Sequence, residues 1–130
     1  MNTQPEAKVE KKVLVFGTFD GLHPGHLFFL NEARKFGELY VSVSSDESAS
    51  QRKGKTPTRD AEQRVEAIEA LGIAKGVSLG DKTLNSWTAL KEVRPDIIAL
   101  GFDQYGLKTA LADIQSEFGF EIKVINKKQD

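Results

Sequence analysis

The 130-residue chain contains no cysteine, which removes disulfide bonds, thiolate nucleophiles and cysteine-bound zinc from the chemistry open to it. It also lacks any apolar run near the roughly 20 residues needed to span a bilayer. Its N-terminus, Met1-Asn2-Thr3-Gln4-Pro5-Glu6-Ala7-Lys8, is too polar for a secretion signal. A dominant charge is missing as well: 18 Lys plus Arg against 19 Asp plus Glu leave a formal net charge of −1. Nothing global therefore draws the chain to a nucleic-acid backbone or an anionic membrane. A cytoplasmic protein with no nucleic-acid or membrane partner is expected, and any phosphate site must be local. Histidine is scarce, with 2 in the chain. Reactive chemistry falls to these, to carboxylates, Lys, Arg and backbone groups.

The content that is present suffices for one core. With 39% hydrophobic and 28% charged residues the composition lies in the globular range, at a length usual for one domain. Residues 1–11 have little apolar content and read as a flexible leader, leaving 12–130 as the folded domain. Val13-Leu14-Val15-Phe16, ending at Gly17, has the continuous apolar pattern of a central strand covered on both faces. Pro24 suits a first helical position, and Leu27, Phe28, Leu30, Ala33 and Phe36 recur at helical spacing until Gly37. Leu39 to Val43 reads as the second strand, followed by a polar, basic stretch from Ser48 to Thr58. The next helix begins near Thr58 or Asp60, with Ala61, Val65, Ile68 and Leu71 as its buried stripe. Then come a short strand at Val77 to Leu79, a helix around Asn85 to Val93 and a strand from Ile97 to Leu100, closed by Gly101. A helix from Leu107 to Phe118 and a last strand from Glu121 to Ile125 complete the chain. Strand–helix alternation of this kind implies right-handed crossovers and an α/β fold, a single Rossmann-like three-layer sandwich. Its five-stranded parallel sheet would run in the order 3-2-1-4-5, with a ligand over Gly17 and Gly101 where the strand order reverses.

Three segments carry candidate chemistry. The loop Gly17-Thr18-Phe19-Asp20-Gly21-Leu22-His23-Pro24-Gly25-His26 joins the central strand to the first helix. It has neither the Gly-Lys-Ser/Thr ending of a P-loop nor the third glycine of a dinucleotide fingerprint. Instead it places both histidines of the chain at a helix start, three residues apart, so that the imidazoles can project from one side with Gly25 leaving space between them. An imidazole offers one N–H donor and gains a second when protonated. Two of them beside the unpaired N–H groups and positive dipole of a helix start suit a polyphosphate whose negative charge grows during bond cleavage. The alternative is one histidine capping the helix and the other lying on the surface. The second segment is Lys53-Gly54-Lys55-Thr56-Pro57 with Arg64 beyond it. A cation near a helix N-terminus is disfavoured by about 0.3–1 kcal/mol, which an anionic partner of Arg64 would explain; the alternative is a solvated face balanced by Asp60 and Glu62. The third is Gly101-Phe102-Asp103-Gln104, where Gly101 allows close approach of a ligand and Asp103 and Gln104 could bind ribose, base or acceptor. A turn with an Asx cap would use the same residues.

Gly17-Thr18-Phe19-Asp20 followed by His23-Pro24-Gly25-His26 resembles the cytidylyltransferase-like nucleotidyltransferase family, whose hallmark is His-x-Gly-His in this place. The resemblance spans roughly residues 12–125, and is nearest to archaeal-type FAD synthases and glycerol-3-phosphate cytidylyltransferases. It implies that His23 and His26 stabilise a nucleoside triphosphate during transfer, with Gly17, Thr18, Phe19 and Gly25 lining the nucleotide. Lys55, in a mobile basic loop, and Arg64 would act on the phosphates or the acceptor, and Asp20 would order the loop or the water around a metal. Gly101-Phe102-Asp103-Gln104 looks more like the FAD synthase branch. The implied reaction transfers a nucleotidyl group to a phosphorylated acceptor and releases pyrophosphate. Mg2+ would be carried by the triphosphate, without a metal-ligand set of the protein's own. FMN with ATP is the first expectation and glycerol 3-phosphate with CTP the second; a nucleotide-binding module without catalysis is the reading from another class. A homodimer is implied by resemblance alone. One departure is the Ser/Thr-rich segment that family members carry after the fifth strand, in whose place this sequence has Asn126-Lys127-Lys128-Gln129-Asp130. Compensation by Lys127 and Lys128, a truncated chain, or binding without efficient turnover would each follow from it.

Overall fold

Leu14 faces one layer of helices while its neighbours Val13 and Val15 face the other, and all three are buried. The computed structural model describes residues 11–54, 56–81 and 87–126, with backbone alone for 51–53. Strand β1 (Lys12–Gly17) lies at the centre of the sheet. It pairs in parallel with β2 (Glu38–Val43) along its whole length, from Lys12 opposite Glu38 to Gly17 opposite Val43. Beyond β2 lies β3 (Gly76–Leu79), and on the other side β4 (Ile97–Gly101) and then β5 (Glu121–Ile125), giving the expected order β3-β2-β1-β4-β5. Every registered pairing is parallel.

Helices cover both faces. Leu30 and Ala33 of α1 (Pro24–Ala33) and Ile68 of α3 (Ala61–Ala70) pack on Val13, Val15, Val41 and Ile97. Leu90 of α4 (Thr88–Val93) with Leu107 and Leu111 of α5 (Tyr105–Ala112) pack on Leu14, Ile98 and Leu100. At roughly 1.5–3 kcal/mol for each fully buried aliphatic side chain, these two clusters dominate the forces that hold the sandwich together. The site loops are carried on this rigid frame.

Two expectations about local structure change and one choice between alternatives is settled. The polar stretch from Ser48 to Thr58 begins in a helix: α2 (Asp46–Lys53) starts from Ser45, whose hydroxyl accepts from the Ser48 N–H at 3.0 Å, and ends at Gly54 in the left-handed conformation. It has no apolar stripe to reveal it. Ser45 and Ser48 hydroxyls instead donate to the Asp81 carbonyl at 3.0 and 2.6 Å, tying α2 to the end of β3. At α3 the cap is Asp60, not Thr58; Asp60 accepts from the Gln63 N–H and the Gln63 side chain accepts from the Asp60 N–H, a complete capping box. The single helix expected from Leu107 to Phe118 is broken at Asp113 and Ile114 into α5 and α6 (Gln115–Phe118), whose last turn Gly119 closes. Leu107, Leu111, Ile114 and Phe118 all reach the same core, so the apolar spacing is that of one helix although the backbone is not. The expected helix start at Asn85 lies outside the described residues.

Candidate active site

The loop that follows β1 ends at His23, and this residue caps α1. With φ −133° and ψ 172° it lies outside the helix, and its Nδ1 accepts from the Gly25 N–H at 3.1 Å and the His26 N–H at 3.3 Å. An Nδ1 that accepts leaves the ring proton of the neutral imidazole on Nε2, so His23 points an N–H away from the helix. The His26 ring stacks on it, centroids 3.7 Å apart and planes 18° from parallel. The edge-on ring of Phe19, 5.5 Å away, supports His26 from below. Gly25 has a specific reason to be glycine: a Cβ there would stand 2.9 Å from His23 Cε1 and push the cap away.

His23 thus caps the helix with His26 stacked on it, and one expectation is corrected. The helix start does not present unpaired N–H groups. Pro24 has none, Gly25 and His26 donate to His23 Nδ1, and Leu27 donates to the His23 carbonyl at 3.0 Å. The dipole remains, but the donor aimed outward is the His23 imidazole. An anion at this helix end meets a side chain rather than bare backbone.

Beneath the pair, Gly17 and Phe19 depend on one another. Phe19 adopts φ +54° and is 4% exposed, with its ring folded back over Gly17; a Cβ on Gly17 would meet it at 2.6 Å. Gly17 is thus needed for this packing, and Phe19 sits in the core against the His26 ring. The Thr18 carbonyl, expected beside the nucleotide, accepts from Arg64 Nη1 at 2.9 Å.

Arg64 is the largest departure from expectation. It is 0% exposed and its guanidinium is spent on protein: Nε on the Arg59 carbonyl, Nη1 on the Thr18 and Ser44 carbonyls, each at 2.9 Å, and Nη2 on Asp46 Oδ1 at 2.7 Å. These four acceptors come from the loop after β1, the end of β2, the first turn of α2 and the segment before α3. Arg64 therefore ties together the segments around the histidines and is not presented to a phosphate. Asp20 makes a parallel connection, accepting from the Thr58 N–H at 2.7 Å and the Arg59 N–H at 2.9 Å. The Thr58 bond, then the Arg59 bond, holds the Asp20 carboxyl below its ordinary pKa, with smaller help from the charges of Arg64 and Arg59. The ordering role expected for Asp20 thus falls on the segment before α3.

On the far side of the site, the β1–β4 ladder is registered only at Val13 opposite Ile97 and Leu14 opposite Ile98, short of both strand ends. Gln104 spans the gap. Its Oε1 accepts from the Gly101 N–H at 2.7 Å and its Nε2 donates to the Phe16 carbonyl at 3.0 Å, replacing the ladder with one side-chain clamp. Gln104, expected on ribose, base or acceptor, is thus a brace of the cleft floor. A Cβ on Gly101 would lie 3.1 Å from Asp103 Oδ1, so this glycine makes room for its own loop. Asp103 is exposed beside it. Lys55, Lys127 and Lys128 lie outside the described residues. Arg59, which the sequence patterns did not single out, lies against the histidine loop, its Nη1 2.9 Å from where a Cβ on Gly21 would be.

The chain is similar to known proteins over most of its length. A family profile described as cytidylyltransferase-like matches residues 14–128. The FAD synthase of Methanohalophilus mahii is 44% identical over 115 residues, 88% of this chain and 79% of that one. The FAD synthase of Pyrococcus abyssi is 39% identical over 116 residues, 88% and 78% of the two chains. Among solved structures, the lipopolysaccharide core biosynthesis protein from Thermoplasma volcanium GSS1 aligns with a TM-score of 0.77 at 33% identity, covering 93% of this chain and 98% of that one. A pantoate-beta-alanine ligase from Francisella tularensis aligns at a TM-score of 0.65 with 13% identity, covering 96% and 62% of the two chains, a likeness of fold alone.

Proposed function

The chain belongs to the cytidylyltransferase-like family, and from that premise we propose that this nucleotidyltransferase transfers AMP from ATP to FMN, forming FAD and pyrophosphate. A phosphate oxygen of FMN attacks the α-phosphorus in line; the new P–O bond forms as the bond to the β-phosphate bridging oxygen breaks, and the electron pair leaves with pyrophosphate. A phosphate monoester is mostly dianionic at neutral pH, its second pKa being about 6. The attacking oxygen therefore needs no general base, and the work left to the protein is positioning and charge stabilisation.

The observation that carries this reading is the stacked histidine pair, with the His23 Nε2–H fixed outward by the cap. A donor aimed in advance at developing charge on the bridging and β-phosphate oxygens costs no reorganisation during the reaction. Mg2+ travels in on the triphosphate. Identity to FAD synthases over most of the chain favours FMN and ATP over glycerol 3-phosphate and CTP, and favours catalysis over a binding module. No described helix is long and apolar enough to cross a membrane; the proposed use of ATP and FMN supports reading the enzyme as cytoplasmic. The test is a matrix of the four ribonucleoside triphosphates against FMN and glycerol 3-phosphate with Mg2+, read by pyrophosphate and product. FAD formation from ATP and FMN is expected. Pyrophosphate only with CTP and glycerol 3-phosphate, or none in any pairing, would contradict the proposal.

A further inference from the structure

We propose that Arg59 supplies the guanidinium that grips the polyphosphate tail of the nucleotide, the task its neighbour Arg64 is too deeply committed to perform. This rests on the reading that the histidine pair holds that tail.

Arg59 is unusual in how its backbone and side chain divide their bonding. Its N–H donates to Asp20 Oδ1 and its carbonyl accepts from Arg64 Nε, both at 2.9 Å, so the main chain is fixed on each side. The side chain, on an exposed residue, has no hydrogen-bond or ion-pair partner among the described residues. Its Nη1 rests 2.9 Å from the position of a Cβ on Gly21, where φ is +77°. The guanidinium thus covers the bare Cα of Gly21, two residues before the His23 cap. The left-handed backbone favours glycine there, and the absence of a Cβ leaves room for the guanidinium.

The surroundings are arranged to leave this charge unspent. Asp20 is the nearby carboxylate, yet its two oxygens accept from the Thr58 and Arg59 backbone N–H groups instead of pairing with the guanidinium. Arg59 also immediately precedes the Asp60 cap, at a helix start, where a cation gains nothing from the dipole. A planar fork with its donors open, on a fixed backbone and over the loop that leads into the His23 cap, fits phosphate oxygens in bidentate fashion. The polyphosphate is favoured over the FMN phosphate because the loop that Arg59 covers leads directly into the His23 cap.

The experiment compares the full chain with Arg59→Ala, Arg59→Gln and Arg59→Lys. Inorganic tripolyphosphate is the calorimetric probe, steady-state FAD formation the kinetic one, and thermal unfolding the control. Truncation is expected to weaken tripolyphosphate by about tenfold or more, the scale of a lost charge-assisted contact, with Lys restoring part of it. KM for ATP should rise in parallel while KM for FMN and the melting temperature stay at wild-type values. Tripolyphosphate binding unchanged in both Arg59→Ala and Arg59→Gln, no binding by wild type, or a rise confined to KM for FMN would each overturn the proposal. A wild type that makes no FAD, yet binds tripolyphosphate through Arg59, would sink the transferase reading and leave the contact standing.

Discussion

Replacing Arg64 by Ala separates a structural tie from a phosphate ligand. The substitution deletes four hydrogen bonds, leaving the carbonyls of Arg59, Thr18 and Ser44 without this donor and Asp46 without its cation. Asp46 is 41% exposed at its side chain and can turn to water, so little of the cost lies there. The carbonyls face the volume that the side chain vacates, and each acceptor left unsatisfied costs about 1–3 kcal/mol, reduced where water enters. A net loss of about 3–5 kcal/mol is expected, a large share of the roughly 5–15 kcal/mol that holds a typical domain folded. At about 3–5 °C per kcal/mol for a chain of this size, the ligand-free protein should melt about 10–20 °C lower. Arg64→Lys, which can reach only part of the acceptor set, should fall between. Urea and thermal unfolding of both variants without nucleotide give the comparison. A melting point within about 2 °C of wild type, combined with lost ATP affinity, would refute the structural assignment and return Arg64 to the phosphates.

Two further outcomes follow from the same connections. Gln104→Leu should lower stability by about 1–3 kcal/mol, because the Gly101 N–H and Phe16 carbonyl lose their shared partner; a urea midpoint equal to wild type would show that the clamp carries no load. For Asp20 the sign is fixed by the direction of its shift: with the folded pKa below the unfolded value of about 3.9, its contribution is present above that value and is lost as pH falls through the folded pKa. The stability gap between wild type and Asp20→Asn, measured by urea unfolding, should therefore be widest near neutrality and shrink below about pH 4; a gap that grows on acidification would contradict it.

The sheet was legible in the sequence because its central residues are buried on both faces, and Val13 to Val15 or Ile97 to Leu100 can be little else than strands inside a layered fold. The histidine pair was legible for a different reason: two scarce residues at helical spacing beside a proline and a glycine. What escaped depended on contacts between distant segments. Arg64 read as a cation for the phosphates or the acceptor because nothing local shows that Thr18, Ser44 and Arg59 converge their carbonyls on it. Helix α2 escaped because Ser45 and Ser48 attach it through hydroxyls to Asp81 and not through an apolar stripe. Gln104 carried the residue type of a ligand contact, but the short β1–β4 ladder gives it backbone partners instead. Arg59 was passed over because its place above Gly21 depends on Asp20 drawing its N–H to the histidine loop.

The most direct test of the histidine pair is the turnover of His26→Ala at saturating ATP, FMN and Mg2+, with a circular dichroism spectrum matching wild type as the condition for the comparison. Removing the ring that stacks on His23 should displace the outward donor from the developing charge and lower kcat by about 100-fold or more. A folded His26→Ala protein that makes FAD at the wild-type rate would contradict the claim that the stacked imidazoles stabilise the transferring phosphates.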